Sequence, residues 1–314
     1  MTSNYDDSYL VIVNPNAGRR KGEKDWEKIS RLLRDKGIRY KAVFTKSPRH
    51  AIDLSVTHIE SGYKKLIVVG GDGTMNEVVN GIFTQKRYPT SDISLGMITV
   101  GTGNDWGRMF KIPGDYDMAI STIILNNSFV QDAGVVKFHY GDKQSSRYFV
   151  NIAGIGFDAL VVSKTNKMKE KGKSGPWSYL KSIITSLIKY RHTSTKISID
   201  NMEIKNSVFN ISIGICKFNG GGMMQLPDAV PDDGLFDITV INKIKKHDVL
   251  LNIKRLYNGT INKHPMVETY RGKSVFIDSK PLIHLETDGE SLGHSPFTFE
   301  IIPKSIRVLI GKTA

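Results

Sequence analysis

The sequence predicts an α/β protein in two parts: an N-terminal three-layer α/β domain and a C-terminal β-rich, sandwich-like domain. Three observations predict it. Residues 9–70 alternate strand and helix signals, the pattern of a parallel sheet wrapped by helices. Beyond residue 126 the chain changes to short runs rich in β-branched and aromatic residues, as in a largely antiparallel sheet. A length of 314 residues, 39% hydrophobic and 24% charged, suits a folded chain with two cores, and no continuous apolar run is long enough to cross a bilayer as a helix. The domains are placed at 1–126 and 127–302, with residues 303–314 a candidate to return to the first.

In the first domain, residues 9–13, 40–44, 65–69 and 95–100 read as strands, and residues 23–36 and 49–61 as helices. In the second, residues 129–138, 147–153, 196–199, 208–216, 236–241, 274–277, 283–287 and 297–302 read as strands, followed by a last run over 305–310.

The loops that follow the first-domain strands carry the chemistry. Asn14-Pro-Asn-Ala-Gly18 follows the first strand, Gly70-Gly-Asp-Gly-Thr74 the third, and Gly101-Thr-Gly-Asn-Asp105 the fourth. In such sheets ligands bind where strands end and helices begin. Gly70, Gly71 and Gly73 remove the Cβ atoms that would keep another group from the backbone. Thr74 and Glu77 have the spacing of a capping box, so a helix is expected to start there, with its positive end beside the glycine turn. That end suits phosphate, while Asp72 would repel phosphate unless a cation lies between them. Phosphate with Mg²⁺ is the economical reading; a plain strand-to-helix turn would use the same residues.

The net charge of +13 implies attraction to an anion: nucleic acid, a phosphorylated substrate or an acidic membrane surface. No zinc-finger, homeodomain or RNP pattern is present, so no nucleic-acid partner is expected. The single cysteine, Cys216, excludes an internal disulfide and a cysteine-clustered zinc site, and the eight histidines lack paired metal-ligand spacing. A hard ion on oxygen ligands remains open. Residues 1–8 are polar and acidic, without the pattern of a signal peptide, so a cytoplasmic location is expected.

With the loops in order, the chain resembles the diacylglycerol kinase catalytic-domain family, specifically the soluble bacterial lipid kinases related to sphingosine and ceramide kinases. The resemblance runs from Asn14 to Glu290 and adds to the three loops Gly154-x-Gly-Phe-Asp158-Ala159, Gly220–Met223, Asp233-Gly-Leu235 and Asp288-Gly-Glu290. It implies an ATP-binding α/β domain and a β-rich lipid-substrate domain, with the active site in the cleft between them. By that resemblance Asn14, Gly18, Thr45, Gly70, Gly71, Gly73, Thr74, Gly101, Thr102 and Asn104 hold the nucleotide. Asp72 organises Mg²⁺ and the phosphates, with Asp132 joining it through water. Asp233, with the carbonyls of Val230 and Leu235, matches a second, structural magnesium site. The family's proline before Gly101 is absent here, where the chain reads Ile98-Thr99-Val100.

Asp288 and Glu290 stand two apart after an apolar run, and in an extended segment both would project to one side. The resemblance makes Asp288 the general base for a lipid hydroxyl, with Glu290 orienting metal or nucleotide. The expected activity is transfer of the γ-phosphate of ATP to diacylglycerol or a similar lipid by a protein that visits an anionic membrane, with a homodimer left open. Two other readings remain: an NAD-kinase-like enzyme with a soluble acceptor, and a catalytically silent lipid- or nucleotide-binding protein.

Two further patterns are weaker. Gly154-x-Gly156-x-x-Ala159 mimics a dinucleotide fingerprint, but the residues after it are polar and lysine-rich. Lys164, Lys167, Lys169, Lys171 and Lys173 precede Trp177, Leu180, Ile184, Leu187 and Ile188 at helical spacing. That stripe reads first as a helix packed on its own domain and second as a membrane contact.

Overall fold

The computed structural model describes residues 8–170 and 176–311, with side chains described outside 169–181. The leader expectation for residues 1–7 and the side chains of Lys169, Lys171, Lys173, Trp177 and Leu180 therefore lie outside the described residues. Two compact units are present, a first that reaches Ala133 and resumes at Lys304, and a second of Gly134–Pro303.

In the first unit, β1 (Tyr9–Val13), β2 (Tyr40–Phe44), β3 (Lys65–Gly70) and β4 (Ser94–Thr99) form a parallel sheet in the order β2-β1-β3-β4. Arg307 and Val308 from the last strand of the chain extend it beyond β4, also in parallel. Between the strands lie α1 (Ala17–Lys24), α2 (Trp26–Asp35), α3 (His50–Ser61), α4 (Asp72–Thr84), α5 (Asp105–Met109) and α6 (Tyr116–Ile124). Alternate strand residues point to opposite faces. Val11, Val13, Ile67 and Val69 meet Ile29 and Leu33 of α2 and Ile120 and Ile123 of α6. Leu10, Ile12, Leu66 and Val68 are also fully buried, which is why these strands are apolar throughout rather than alternating. Helices α3 and α4 approach each other so closely that a Cβ on Gly81 would lie 2.4 Å from the Ser55 Cβ.

The helix after the glycine turn begins at Asp72, with Gly71 in the extended N-cap position and no side-chain cap. The expected capping box is not formed. Glu77 instead accepts the N–H groups of Arg49, at 2.8 Å, and Ala51, at 3.1 Å, and so caps the neighbouring α3. Arg49 has φ +68, and its amide and that of Ala51 converge on one carboxylate.

The second unit contains β6 (Lys143–Phe149), β7 (Ile152–Gly156), α7 (Phe157–Glu170), α8 (Pro176–Lys189), β8 (Thr193–Ile199), β9 (Met202–Gly214), β10 (Phe218–Asn219), β11 (Met223–Met224), β12 (Phe236–Asn242), α9 (Lys246–Tyr257), β13 (Val267–Gly272), β14 (Ser274–Lys280) and β15 (His284–Thr287). The long strands β5 (Ser128–Tyr140) and β16 (Glu290–Leu309) begin or end in the first unit. Pairing is antiparallel and runs β7-β9-β8-β14-β16-β15 and back to β7. The circuit closes because β9 and β16 are long enough to serve two sets of partners, which removes exposed edges there. The core is aromatic: Phe149 stacks on Phe236 at 5.8 Å and meets Phe299 edge-on at 6.1 Å. A Cβ on Gly134 would lie 2.4 Å from the Phe149 ring.

The strand expected over 147–153 is interrupted at Val150 and Asn151, between β6 and β7. The runs expected over 297–302 and 305–310 are one strand, β16.

Candidate active site

A sheet ordered β2-β1-β3-β4 sends its connections to opposite sides of β1 and β3, and the crevice at their carboxyl ends is the natural ligand position. Asn14 ends β1 and Gly70–Thr74 follows β3, so these residues share that crevice. Asn14 Nδ2 donates to Thr74 Oγ1 at 2.9 Å, and Asn14 Oδ1 accepts the Asn16 N–H at 3.0 Å. Its amide thus braces the two loops that flank the crevice. Thr45 is buried just beyond β2 and donates its N–H to Val13, 2.9 Å away.

The glycines serve loop packing before anything else. A Cβ on Gly101 would lie 2.7 Å from Gly71 Cα, one on Gly70 would lie 2.6 Å from Thr74 Cβ, and one on Gly18 would lie 1.8 Å from the Val100 oxygen. At Gly18 and Gly101 the groups that come close are neighbouring loops, and at Gly70 the Thr74 side chain of the same loop. Gly73 lies in the first turn of α4, and Thr102 is exposed at the tip of the third loop. Asn104 has φ +53 and donates Nδ2 to Gly101 at 2.9 Å, while its Oδ1 is buried with no partner. A buried acceptor left over at the crevice calls for a donor that the protein does not supply.

Asp72 Oδ1 accepts the Trp106 N–H at 3.0 Å, and the amides of Asp72, Asn104 and Asp105 also face this carboxylate. Burial nevertheless pushes its pKa up, against the opposing pull of those amides. Trp106 then donates its indole N–H to Gln131 Oε1 at 2.9 Å, and Gln131 Nε2 donates to the Asp132 carbonyl at 3.1 Å. Asp132 is fully buried, with Oδ1 accepting the Lys304 N–H at 2.7 Å. Among the described residues no three His, Cys, Asp or Glu side chains form a ready metal cage. A carboxylate at the carboxyl ends of the strands suits Mg²⁺, which is commonly held by one or two carboxylates together with substrate phosphates.

In the second unit, Asp288 and Gly289 have φ +48 and +85 and join β15 to β16, with Thr287 paired to Glu290. This is a two-residue hairpin turn rather than an extended segment, so Asp288 and Glu290 do not project side by side. The interruption after β6 leaves three amides for Asp288: Val150 donates to Oδ2, and Asn151 and Ile152 to Oδ1, each at 3.2 Å. Asp288 is only 4% exposed, so this convergence is what accommodates its charge. Glu290 is half-buried.

Sequence reasoning passed over Glu286, the fully buried carboxylate beneath the turn. Its Oε2 accepts the Gly289 N–H at 2.9 Å and its Oε1 accepts Asn219 Nδ2 at 2.9 Å. Asp158, half-buried, accepts Asn210 Nδ2 and Gln225 Nε2 at 2.8 Å each. Both acids crowd Gly154, whose Cβ would lie 2.6 Å from Glu286 Oε1 and 2.9 Å from Asp158 Cβ. Burial and the neighbouring Asp158 push Glu286 up to about 8. A signal was present, since Glu286 follows Leu285 in a strand and precedes the Asp-Gly turn by two residues.

Asp233 Oδ1 accepts the Leu235 N–H at 3.1 Å, and its Oδ2 pairs with the Arg271 guanidinium, which also lies 3.4 Å from Asp237. Val230 is exposed. The cation beside Asp233 is therefore an arginine, and a dication on these residues would have to displace it. This geometry does not fit the expected metal.

Residues 8–136 match the family described as diacylglycerol kinase catalytic domain, and residues 151–310 match the YegS C-terminal NAD kinase beta sandwich-like domain. A diacylglycerol kinase of Staphylococcus carnosus (strain TM300) is 30% identical over 302 residues, covering 96% of this chain and 94% of that relative. One from Staphylococcus saprophyticus is 30% identical over 298 residues, covering 95% and 93%. The crystal structure of a diacylglycerol kinase from Bacillus anthracis str. Sterne has a TM-score of 0.71 at 22% identity and covers 97% of both chains. A second structure from that organism reaches 0.78 at 24% identity, covering 97% of this chain and 95% of the other. At these identities the two structures establish the fold.

Proposed function

The chain belongs to the diacylglycerol kinase family, and from that premise we propose that it transfers the γ-phosphate of ATP, with Mg²⁺, to the primary hydroxyl of diacylglycerol or a similar lipid. The observation that carries this reading is the convergence of three amides on Asp288 at a strand turn, an arrangement that favours an anionic carboxylate. The lipid hydroxyl oxygen forms a bond to the γ-phosphorus while the bond to the β–γ bridging oxygen breaks, ADP leaves, and the hydroxyl proton passes to Asp288. In the first unit Asn14 and Thr74 hold the crevice loops together, and Asn104 Oδ1 offers an acceptor to the nucleotide. Bound Mg²⁺, held through Asp72, supplies charge neutralisation on the phosphate oxygens. Asp132 is read as joining Asp72 through water, and its main-chain carbonyl is also linked to Asp72 through Gln131 and Trp106.

The reading is of a protein that meets its lipid at the membrane surface, from the cytoplasm; no helix among the described residues is long and apolar enough to cross a membrane. The test is transfer of labelled γ-phosphate to diacylglycerol, sphingosine, ceramide and phosphatidylglycerol in mixed micelles, with NAD as the soluble control. A labelled lipid is expected, with Asp288→Asn slowing transfer about 10²- to 10⁴-fold while the variant still unfolds cooperatively. Labelling of NAD alone would overturn the lipid reading, and full activity of Asp288→Asn would overturn the assignment of the base.

A further inference from the structure

The lysine-rich stripe of residues 164–191 divides in an informative way. Leu187 is buried against Phe157, Val161, Phe209 and Ile244, whereas Ile184 and Ile188 on the same helix, α8, are exposed, Ile188 by 66%. The carboxyl end of α8 adjoins the start of α9, because Lys246 Nζ donates to the Ile188 carbonyl. Helix α9 was not foreseen in the sequence. Its inner face contributes Val249 to the same core, yet His247, Leu250, Leu251, Lys254 and Tyr257 are exposed at the spacing of one outer face. Leu251 is 76% and Leu250 50% exposed.

A surface helix of a soluble protein turns charged and polar residues outward, so two adjacent leucines on the outer face need an occupant. Charge indicates which. Lys189, Arg191, Lys243, Lys245 and Lys254 are exposed around these apolar residues. The acid on α9, Asp248, is half-buried and lies 3.2 Å from His247. Apolar side chains ringed by cations match an anionic lipid surface, where the chains enter the acyl boundary and the ammonium groups meet the headgroups.

We infer that the outer face of α9, with Ile184 and Ile188 of α8, is the surface by which this protein docks on anionic membranes, Leu250 and Leu251 entering the lipid. The inference rests on the lipid-kinase reading for its purpose, though not for its geometry. It also separates docking from chemistry, since none of these residues belongs to the candidate active site.

The experiment is co-sedimentation of the full chain with phosphatidylglycerol vesicles and with phosphatidylcholine vesicles. Wild type is expected on the former and not on the latter. Leu250→Ala/Leu251→Ala is expected to bind about 100-fold more weakly, since each leucine contributes roughly a factor of ten. Lys245→Gln/Lys254→Gln is expected to bind about 25-fold more weakly and to show a shallower salt dependence. Turnover of a monomeric short-chain diacylglycerol should stay at the wild-type level in both variants. That assay keeps the two readings apart: absence of turnover in wild type counts against the kinase reading alone, whatever the vesicles show. Unchanged vesicle binding in both variants overturns the docking surface. So does a wild-type dimer by light scattering that the leucine variant converts to monomer without a change in vesicle binding, because the leucines would then face a second copy.

Discussion

Glu286 Oε2 accepts the Gly289 N–H at 2.9 Å, across the two-residue turn that carries Asp288. The bond places an acid with a pKa pushed up to about 8 directly beneath the proposed base. Both Glu286 oxygens accept hydrogen bonds, which favour the anion, yet complete burial and the nearby Asp158 outweigh them.

The consequence for stability has a definite sign. Glu286 keeps its proton in the folded chain at pH values where the unfolded chain releases it. The stability tied to that proton is complete below the usual carboxylate range and is lost as pH rises through about 8. The denaturant midpoint of wild type should therefore fall between about pH 5 and about pH 8, and Glu286→Gln, which does not titrate, should show a shallower fall. Equal slopes would mean that Glu286 is ionised throughout.

Much of the fold was legible because its elements carry strong periodic signals. The parallel sheet showed in the fully apolar β1 and β3, and the glycine loops marked the strand ends. What stayed hidden depends on contacts distant in sequence. Glu77 has the spacing of a cap for its own helix, yet the amides that reach it belong to α3. Asp288 and Glu290 look like an extended pair until Asp-Gly is taken as the hairpin signal it is. The three amides that meet Asp288 come from about 137 residues earlier, at a strand break that propensity does not reveal.

Gly18 and Gly37 test how far glycine here serves packing rather than backbone freedom. Both have positive φ, +59 and +73, but a Cβ at Gly37 meets nothing within 4 Å while one at Gly18 would overlap the Val100 oxygen. Gly37→Ala should cost about 1 kcal/mol, the left-handed strain alone. Gly18→Ala should cost roughly 3 kcal/mol or more and weaken ATP binding as well. Urea titration and nucleotide binding of the two variants check this, and equal costs would remove the packing argument.

Glu77→Ala should destabilise by about 1–3 kcal/mol, because two amides lose a buried charged acceptor. The location of the damage is the sharper readout. Amide exchange should quicken at Arg49 and Ala51 and stay unchanged at Met75, whose N–H bonds the Gly71 carbonyl at 3.0 Å. Faster exchange at Met75 instead would restore the cap to α4.

Cys216 supplies a probe of the Asp288 pocket. The Val150 peptide joins them: its carbonyl receives the Cys216 thiol at 3.4 Å and its N–H donates to Asp288 at 3.2 Å. Burial first, and then the Asp288 charge, push the thiol pKa well up. Because only the thiolate reacts, native Cys216 should resist a disulfide reagent at about pH 8 and react on unfolding. Asp288→Asn removes the smaller of the two causes and leaves the burial, so its thiol should remain protected. Protection together with lost phosphoryl transfer would place the defect in chemistry. A rapidly labelled thiol in that variant would show that the turn had come apart, and the loss of activity would then say nothing about a base.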